Sequence, residues 1–185
     1  QILIPLEKLY RRYTGESLAV KLSDFTDVSE RIQYLVTQVE KITKIDNFGA
    51  YLTAMLEIDA FFMNEDRHTN NIAVIYNEKT QKYELSPFFD QGLCMFADIN
   101  QDYPIDQSLE YCLEKIEAKP FSSDFDIQLD AAEELYGIQI GFQFTFKDIQ
   151  IYLQKNSENY PREVVRRVEQ LLRRQMRKYG YLMKK

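Results

Sequence analysis

Between Asn47 and Met63 the chain is apolar nearly all the way round: Phe48, Tyr51, Leu52, Ala54, Met55, Leu56, Ile58, Ala60, Phe61 and Phe62, with Glu57 and Asp59 the only charges. A helix without a polar face cannot lie on a surface, so this one belongs in the middle of a domain. Asn47 is placed to cap it. The helix runs straight into the polar segment Asn64-Glu65-Asp66-Arg67-His68-Thr69-Asn70-Asn71. That segment therefore starts from a rigid, buried platform, which is what a catalytic loop needs.

The neighbouring elements follow from periodicity. Leu6, Leu9, Tyr10 and Tyr13 have helical spacing, so Leu3–Tyr13 reads as a short helix or turn-rich lead-in that stops near Gly15. Val28, Ile32, Leu35, Val36, Val39 and Ile42 predict a helix over about 28–45, behind an Asp27…Glu30 pair that resembles a capping box. Beyond the polar loop, Ile72–Tyr76 and Lys82–Leu85 read as two strands joined by a polar turn at Asn77–Gln81. Further helices are expected over Phe125–Tyr136 (ended by Gly137), from about Phe146 to Leu153, and from Pro161 onward. The last one places Val164, Val165, Val168, Leu171, Leu172, Met176 and Tyr179 on one side and its arginines on the other. The stretch 94–122 shows no clear period.

Size and composition bound the rest. A chain of 185 residues with 45% apolar and 14% aromatic residues can pack a substantial core. Six glycines and five prolines are few, which favours long helices over a sandwich of short strands. No run reaches the roughly 18 apolar residues of a membrane span. Cys94 and Cys112 form no metal-type pair and read as reduced thiols of a cytoplasmic protein. The first residue is Gln rather than Met, which reads as part of a longer gene product. From Pro161 on, nine Lys/Arg face two Asp/Glu, a charge of +7, whereas residues 1–160 hold 14 against 27 and carry −13. An acidic body speaks against nucleic acid as the main ligand, although the basic last helix could touch a phosphate backbone or a protein partner.

The chemistry concentrates in 61–92. An Asp at 66, an Asn at 71 and a second Asp at 90 that opens Asp90-Gln91-Gly92 have the layout of a phosphotransferase centre. A hairpin over 72–85 would bring Asp90 back near Asn71. Asp66 could accept a hydrogen bond from a substrate hydroxyl and take its proton. Asn71, or Asn70 if the register shifts by one, and Asp90 could supply the oxygen ligands that magnesium prefers. Gly92 would let the chain turn after the metal acid. Arg67 would neutralise a phosphate or hold a neighbouring carboxylate, and His68 would either join the chemistry or fix the loop by bonding backbone near Asp90.

Asp66-Arg67-His68-Thr69-Asn70-Asn71 followed by Leu85-Ser86-Pro87-Phe88-Phe89-Asp90 resembles the catalytic loop and metal-binding segment of HipA-type serine/threonine kinases, with their D-R-H-x-x-N run and later L-x-P-x-x-D. Phosphoinositide kinases share such a loop more distantly. Ile4-Pro5-Leu6-Glu7-Lys8-Leu9 is similar to the E-D-L stretch ahead of the helical pair, so the resemblance covers most of residues 3–100. It implies a mainly α (α+β), kinase-like C-terminal lobe over residues 1–185, with a small β-hairpin carrying the catalytic and metal loops. Asp66 would be the catalytic acid/base, with Arg67 and His68 beside it. Asn71, Asp90 and Gly92 would form the cofactor site, with Asn71 and Asp90 as ligands of Mg²⁺ that bridges ATP. The partners implied are a protein substrate with a Ser or Thr acceptor and an antitoxin or other regulatory protein.

One part of the kinase pattern is missing. The glycines are scattered at 15, 49, 92, 137, 141 and 180, and no Gly-rich loop precedes a strand lysine. The nucleotide-covering lobe is then elsewhere, or the chain is a non-catalytic or partner-dependent module that acts by binding. Two rival chemistries use the same residues. A metal-dependent phosphoesterase on Asp66, His68, Asn71 and Asp90 lacks a second histidine. A Cys94–His68 nucleophile pair has no orienting motif around Cys94, which reads as a core thiol.

Overall fold

The computed structural model describes residues 1–184, and 54% of the chain is helical. The order is β1 (Ile2–Pro5), α1 (Leu6–Thr14), α2 (Leu18–Ser23), α3 (Val28–Thr43), α4 (Phe48–Phe62), β2 (Ala73–Asn77), β3 (Lys82–Leu85), α5 (Leu109–Lys115), α6 (Phe125–Tyr136), α7 (Phe146–Asn156) and α8 (Arg162–Lys178). The expectation of a mainly helical α+β chain with a small hairpin holds. Among the described residues no helix is long and apolar enough to cross a membrane.

The central helix lies where its composition requires. Phe48, Leu52, Met55 and Leu56 of α4 pack with α1, α3 and Ile72 in one apolar cluster. Ala60 and Phe61 pack with Leu171, Leu172, Tyr179 and Phe96 in a second. Both clusters meet along this one helix, so its N-terminal half faces the sheet side and its C-terminal half faces α8. Burying a large apolar side chain is worth about 1.5–3 kcal/mol each, which makes this helix the spine of the fold. Asn47 makes no capping bond with its side chain. Glu40 Oε1 instead accepts from the Phe48 N–H at 3.2 Å.

The lead-in differs from expectation. Residues Ile2–Pro5 form an edge strand, pairing antiparallel with β2 in the register Ile2↔Tyr76 to Pro5↔Ala73. β2 pairs on its other side with β3, as the hairpin reading expects. Pro5 suits the end of an edge strand because it has no N–H to offer the ladder. The first N–H groups of a helix have no partner within it. In α1 these go to the polar loop: Leu6 N–H bonds Ile72 O at 2.8 Å and Glu7 N–H bonds Thr69 O at 3.3 Å. The chain start is thereby docked onto the far end of that loop.

Two short helices escape the sequence reading, α2 capped by Ser17 and α5 capped by Ser108. With six and seven residues they are too short to show a period. At the start of α3, Asp27 accepts from Glu30 N–H at 3.0 Å, which is one half of the capping box.

α8 corrects a second expectation. Its arginines do not all face outward, because Arg167 is buried. Its Nη1 bonds Tyr103 O at 2.9 Å, and its Nη2 reaches the carbonyls of Pro104, Ile105 and Gln107. One guanidinium thus organises the loop that precedes α5. Gln175, also buried, donates to Ala60 O at 2.8 Å and fixes α8 against α4. Replacing Arg167 with Met strands four carbonyls and should lower stability by about 3 kcal/mol. Arg166→Met, on the exposed face, should stay within about 0.5 kcal/mol of the parent. Urea unfolding followed by circular dichroism measures both.

Candidate active site

The polar loop begins where α4 ends. Met63 takes a left-handed conformation (φ 55°), and Asn64 N–H bonds back to Asp59 O at 2.9 Å. The buried Asp59 carboxylate then receives three donors. Arg67 Nε lies 2.7 Å from Oδ2 and its Nη2 3.0 Å from Oδ1, while Asn64 Nδ2 bonds Oδ1 at 2.7 Å. Neither the Asp59 nor the Arg67 side chain has any solvent exposure. Burial pushes the Asp59 carboxyl up, and the guanidinium and the Asn64 amide oppose that shift.

Arg67 has one nitrogen left, and it sets the geometry of the site. Nη1 donates to Asn71 O at 2.6 Å and to Phe89 O at 3.1 Å. Two carbonyls bound to one nitrogen cannot be further apart than those two lengths end to end. The backbone at 71 and the backbone just before Asp90 therefore lie side by side. The hairpin makes this possible, with Val74 opposite Leu85 and Ser86 Oγ donating to Ala73 O at 3.0 Å. Beyond Asp90 the chain is tied again, through Glu65 N–H to Leu93 O at 3.4 Å and Met95 N–H to Phe62 O at 2.9 Å. Of the two roles open to Arg67, holding a carboxylate is the one seen. It is enclosed and faces no solvent.

The open side chains occupy the rim of this frame. Asn71 Nδ2 donates to the Asp66 carbonyl at 2.9 Å and to Asp66 Oδ2 at 3.3 Å. That fixes the amide and leaves Asn71 Oδ1 without a hydrogen bond among the described residues. Asp90 is exposed and likewise carries no bond or ion pair among the described residues. It has the left-handed turn conformation itself (φ 55°). Gly92 does not, and a Cβ there would meet no atom within 4 Å. The sharp turn assigned to Gly92 is made by Asp90.

Asp66 is about one-quarter exposed, with His68 Nε2 at 3.7 Å and Lys119 Nζ at 3.9 Å from its Oδ1. His68 Nδ1 accepts from Asn70 N–H at 3.2 Å, so its ring fixes its own loop and makes no described bond to backbone near Asp90. Asn70 is exposed, and its side chain makes no hydrogen bond among the described residues. Lys119 escapes sequence reasoning, since it lies 53 residues from Asp66 in an aperiodic stretch. Asp59 and Asn64 escape it too. The one available sign was a charge inside an apolar helix. Next to Asp66, Glu65 accepts from the Tyr103 hydroxyl, and burial pushes its carboxyl up.

The chemistry of the open oxygens suits a hard cation. Magnesium takes carboxylate and carbonyl oxygens and keeps several waters, so Asp90 and Asn71 Oδ1 are a fitting protein share. No three His, Cys, Asp or Glu side chains converge on a metal position among the described residues, so the phosphoesterase reading gains no further ligands. Burial pushes the Cys94 thiol up to about 12, which suppresses the thiolate a nucleophile requires. Comparisons with protein-family models, with curated proteins and with solved structures found no match for this chain.

Removing one partner of a buried pair leaves an uncompensated charge. Asp59→Ala should therefore cost about 4 kcal/mol, whereas Asp59→Leu combined with Arg67→Met should recover part of that loss. A double-mutant cycle on urea unfolding reads the coupling directly.

Proposed function

We propose that this chain is a phosphotransferase lobe of the HipA-like serine/threonine kinase kind, working on a protein hydroxyl. One observation supports the reading: a single buried nitrogen, Arg67 Nη1, bonds the carbonyls of both Asn71 and Phe89, and so holds the backbone at 71 beside the backbone that leads into Asp90. Asp66 would accept a hydrogen bond from the acceptor hydroxyl and take its proton as that oxygen bonds to the terminal phosphorus of ATP and the bond to ADP breaks. Asn71 Oδ1 and Asp90 would hold Mg²⁺. Magnesium-ATP, when bound, supplies the phosphoryl group and the positive charge over its oxygens. Arg67 keeps the two loops in register, and the bond from Asn71 Nδ2 keeps the Asp66 carboxylate aimed. Phosphoryl transfer depends mainly on such positioning, which a rigid frame provides.

A binding module of the same fold, docking a regulatory protein of the antitoxin kind, is the second reading. The scattered glycines favour it, since no Gly-rich turn is in the sequence to close over phosphates. Isothermal titration of magnesium-ATP separates the two. Binding that disappears in Asp90→Ala supports the phosphotransferase, and no heat at millimolar nucleotide overturns it. In a transfer assay, Asp66→Asn should lower the rate about a thousandfold with the fold intact. A comparable rate would remove Asp66 from its role.

A further inference from the structure

A cavity of about 230 Å³ lies against the polar loop at His68 and Thr69. Its walls come from Ala19 and Leu22 of α2, from Arg31 of α3, from His68, and from Lys119 and Pro120. Pockets for drug-sized ligands run to roughly 300–1,000 Å³, so this one suits a small group rather than a nucleoside. Three of its lining side chains can carry positive charge, and no carboxylate is among them.

The donors are set in place by bonds on their other sides. Arg31 uses Nε on Phe25 O at 2.9 Å and Nη1 on Phe121 O at 2.6 Å, which leaves Nη2 without a described partner. His68 Nδ1 accepts from Asn70 N–H at 3.2 Å, which holds the ring in place, with Nε2 3.7 Å from Asp66 Oδ1. Lys119 brings an ammonium to the mouth, 3.9 Å from the Asp66 carboxylate. Glu7 is the next carboxylate, and it is already bonded by Ala19 N–H, Thr69 Oγ1 and Arg11. Burial pushes Glu7 up, but these bonds, one from Ser17 and the Arg11 charge outweigh it and hold Glu7 below its usual value.

We infer that this cavity is an oxyanion site that seats a phosphate group, with the Arg31 guanidinium, His68 and the Lys119 ammonium on its walls as the donors. Tetrahedral oxyanions are bound by such convergent charged donors. Its use as a substrate subsite rests on the phosphotransferase reading, whereas its ability to hold phosphate does not. The phosphate has two sources: the terminal group of a nucleotide, or a phosphate on the acceptor or free in solution.

The experiment titrates inorganic phosphate into the full chain without magnesium or nucleotide and follows the ³¹P line width. Binding should weaken at least about tenfold in Lys119→Gln and persist in Asp90→Ala. Lys119 is half exposed, so its variant should melt with the parent. Phosphate binding that is absent, or unchanged in both Lys119→Gln and His68→Gln, overturns the site. Once phosphate is bound, displacement by magnesium-ATP in the parent but not in Asp90→Ala assigns the cavity to the nucleotide's terminal phosphate. Joint binding assigns it to the acceptor side. Phosphate binding without any magnesium-ATP heat keeps this site and removes the phosphotransferase, and the reverse result keeps the phosphotransferase and removes this site.

Discussion

A guanidinium and a carboxylate with no access to water cannot exist apart, and the centre of this molecule is arranged around that fact. Asp59 sits in the last turns of an apolar helix, where an unpaired charge would be prohibitively costly. Arg67 pairs with it through two nitrogens and keeps a third for carbonyls from two separate loops. A planar fork with five donors can do this, and a lysine cannot. A buried pair of this kind adds little net stability compared with well-packed apolar residues. Its contribution here is register: it fixes which backbone atoms of 71 and 89 face each other.

The same helix uses its other charge in the same way. Glu57 is buried two residues earlier and accepts the N–H groups of Gln139 at 2.8 Å and Ile140 at 2.6 Å. Burial pushes its carboxyl up, while those two bonds oppose the shift. Two acids on an otherwise apolar cylinder thus each capture a distant segment, the α6–α7 connection and the polar loop. Arg167 repeats the device from α8, gathering the carbonyls of 103–107, and the Tyr103 hydroxyl in turn reaches Glu65 beside Asp66. Irregular backbone inside the fold is fixed by charged side chains projecting from regular helices.

These devices explain which parts of the molecule could be read in advance. The helices over 28–43 and 125–136 and the hairpin of β2 and β3 declare themselves by period, because packing on one face imposes it, and the helix over 48–62 by being apolar all round. The proximity of Asn71 and Asp90 also follows, since a hairpin returns the chain to its start. β1 does not show, because Ile2–Pro5 takes its strand character from a partner 70 residues away. The inward turn of Arg167 does not show either, because the helical period assigns it to a face and the four carbonyls that draw it in come from an aperiodic loop. Lys119 is hidden for the same reason. Gly92 illustrates the reverse error: a glycine in a turn invites a conformational role, yet Asp90 takes the left-handed geometry.

Pairing within the fold is what gives the open atoms their meaning. Buried polar side chains find partners almost throughout, and only the amide of Gln128 lacks one among the described residues. Against that background, Asn71 donates with its nitrogen and leaves its oxygen free, and Asp90 holds a carboxylate in a strained turn with no partner. A non-glycine residue at positive φ costs of order 1–3 kcal/mol unless the surroundings over-determine it. Phe89 O is held by Arg67 and Leu93 O by Glu65, so both ends of that turn are fixed and the strained residue is carried between them. The turn thus carries an exposed carboxylate on backbone that is fixed on both sides, so the position of residue 90 is set by the fold and not by the carboxylate's own contacts.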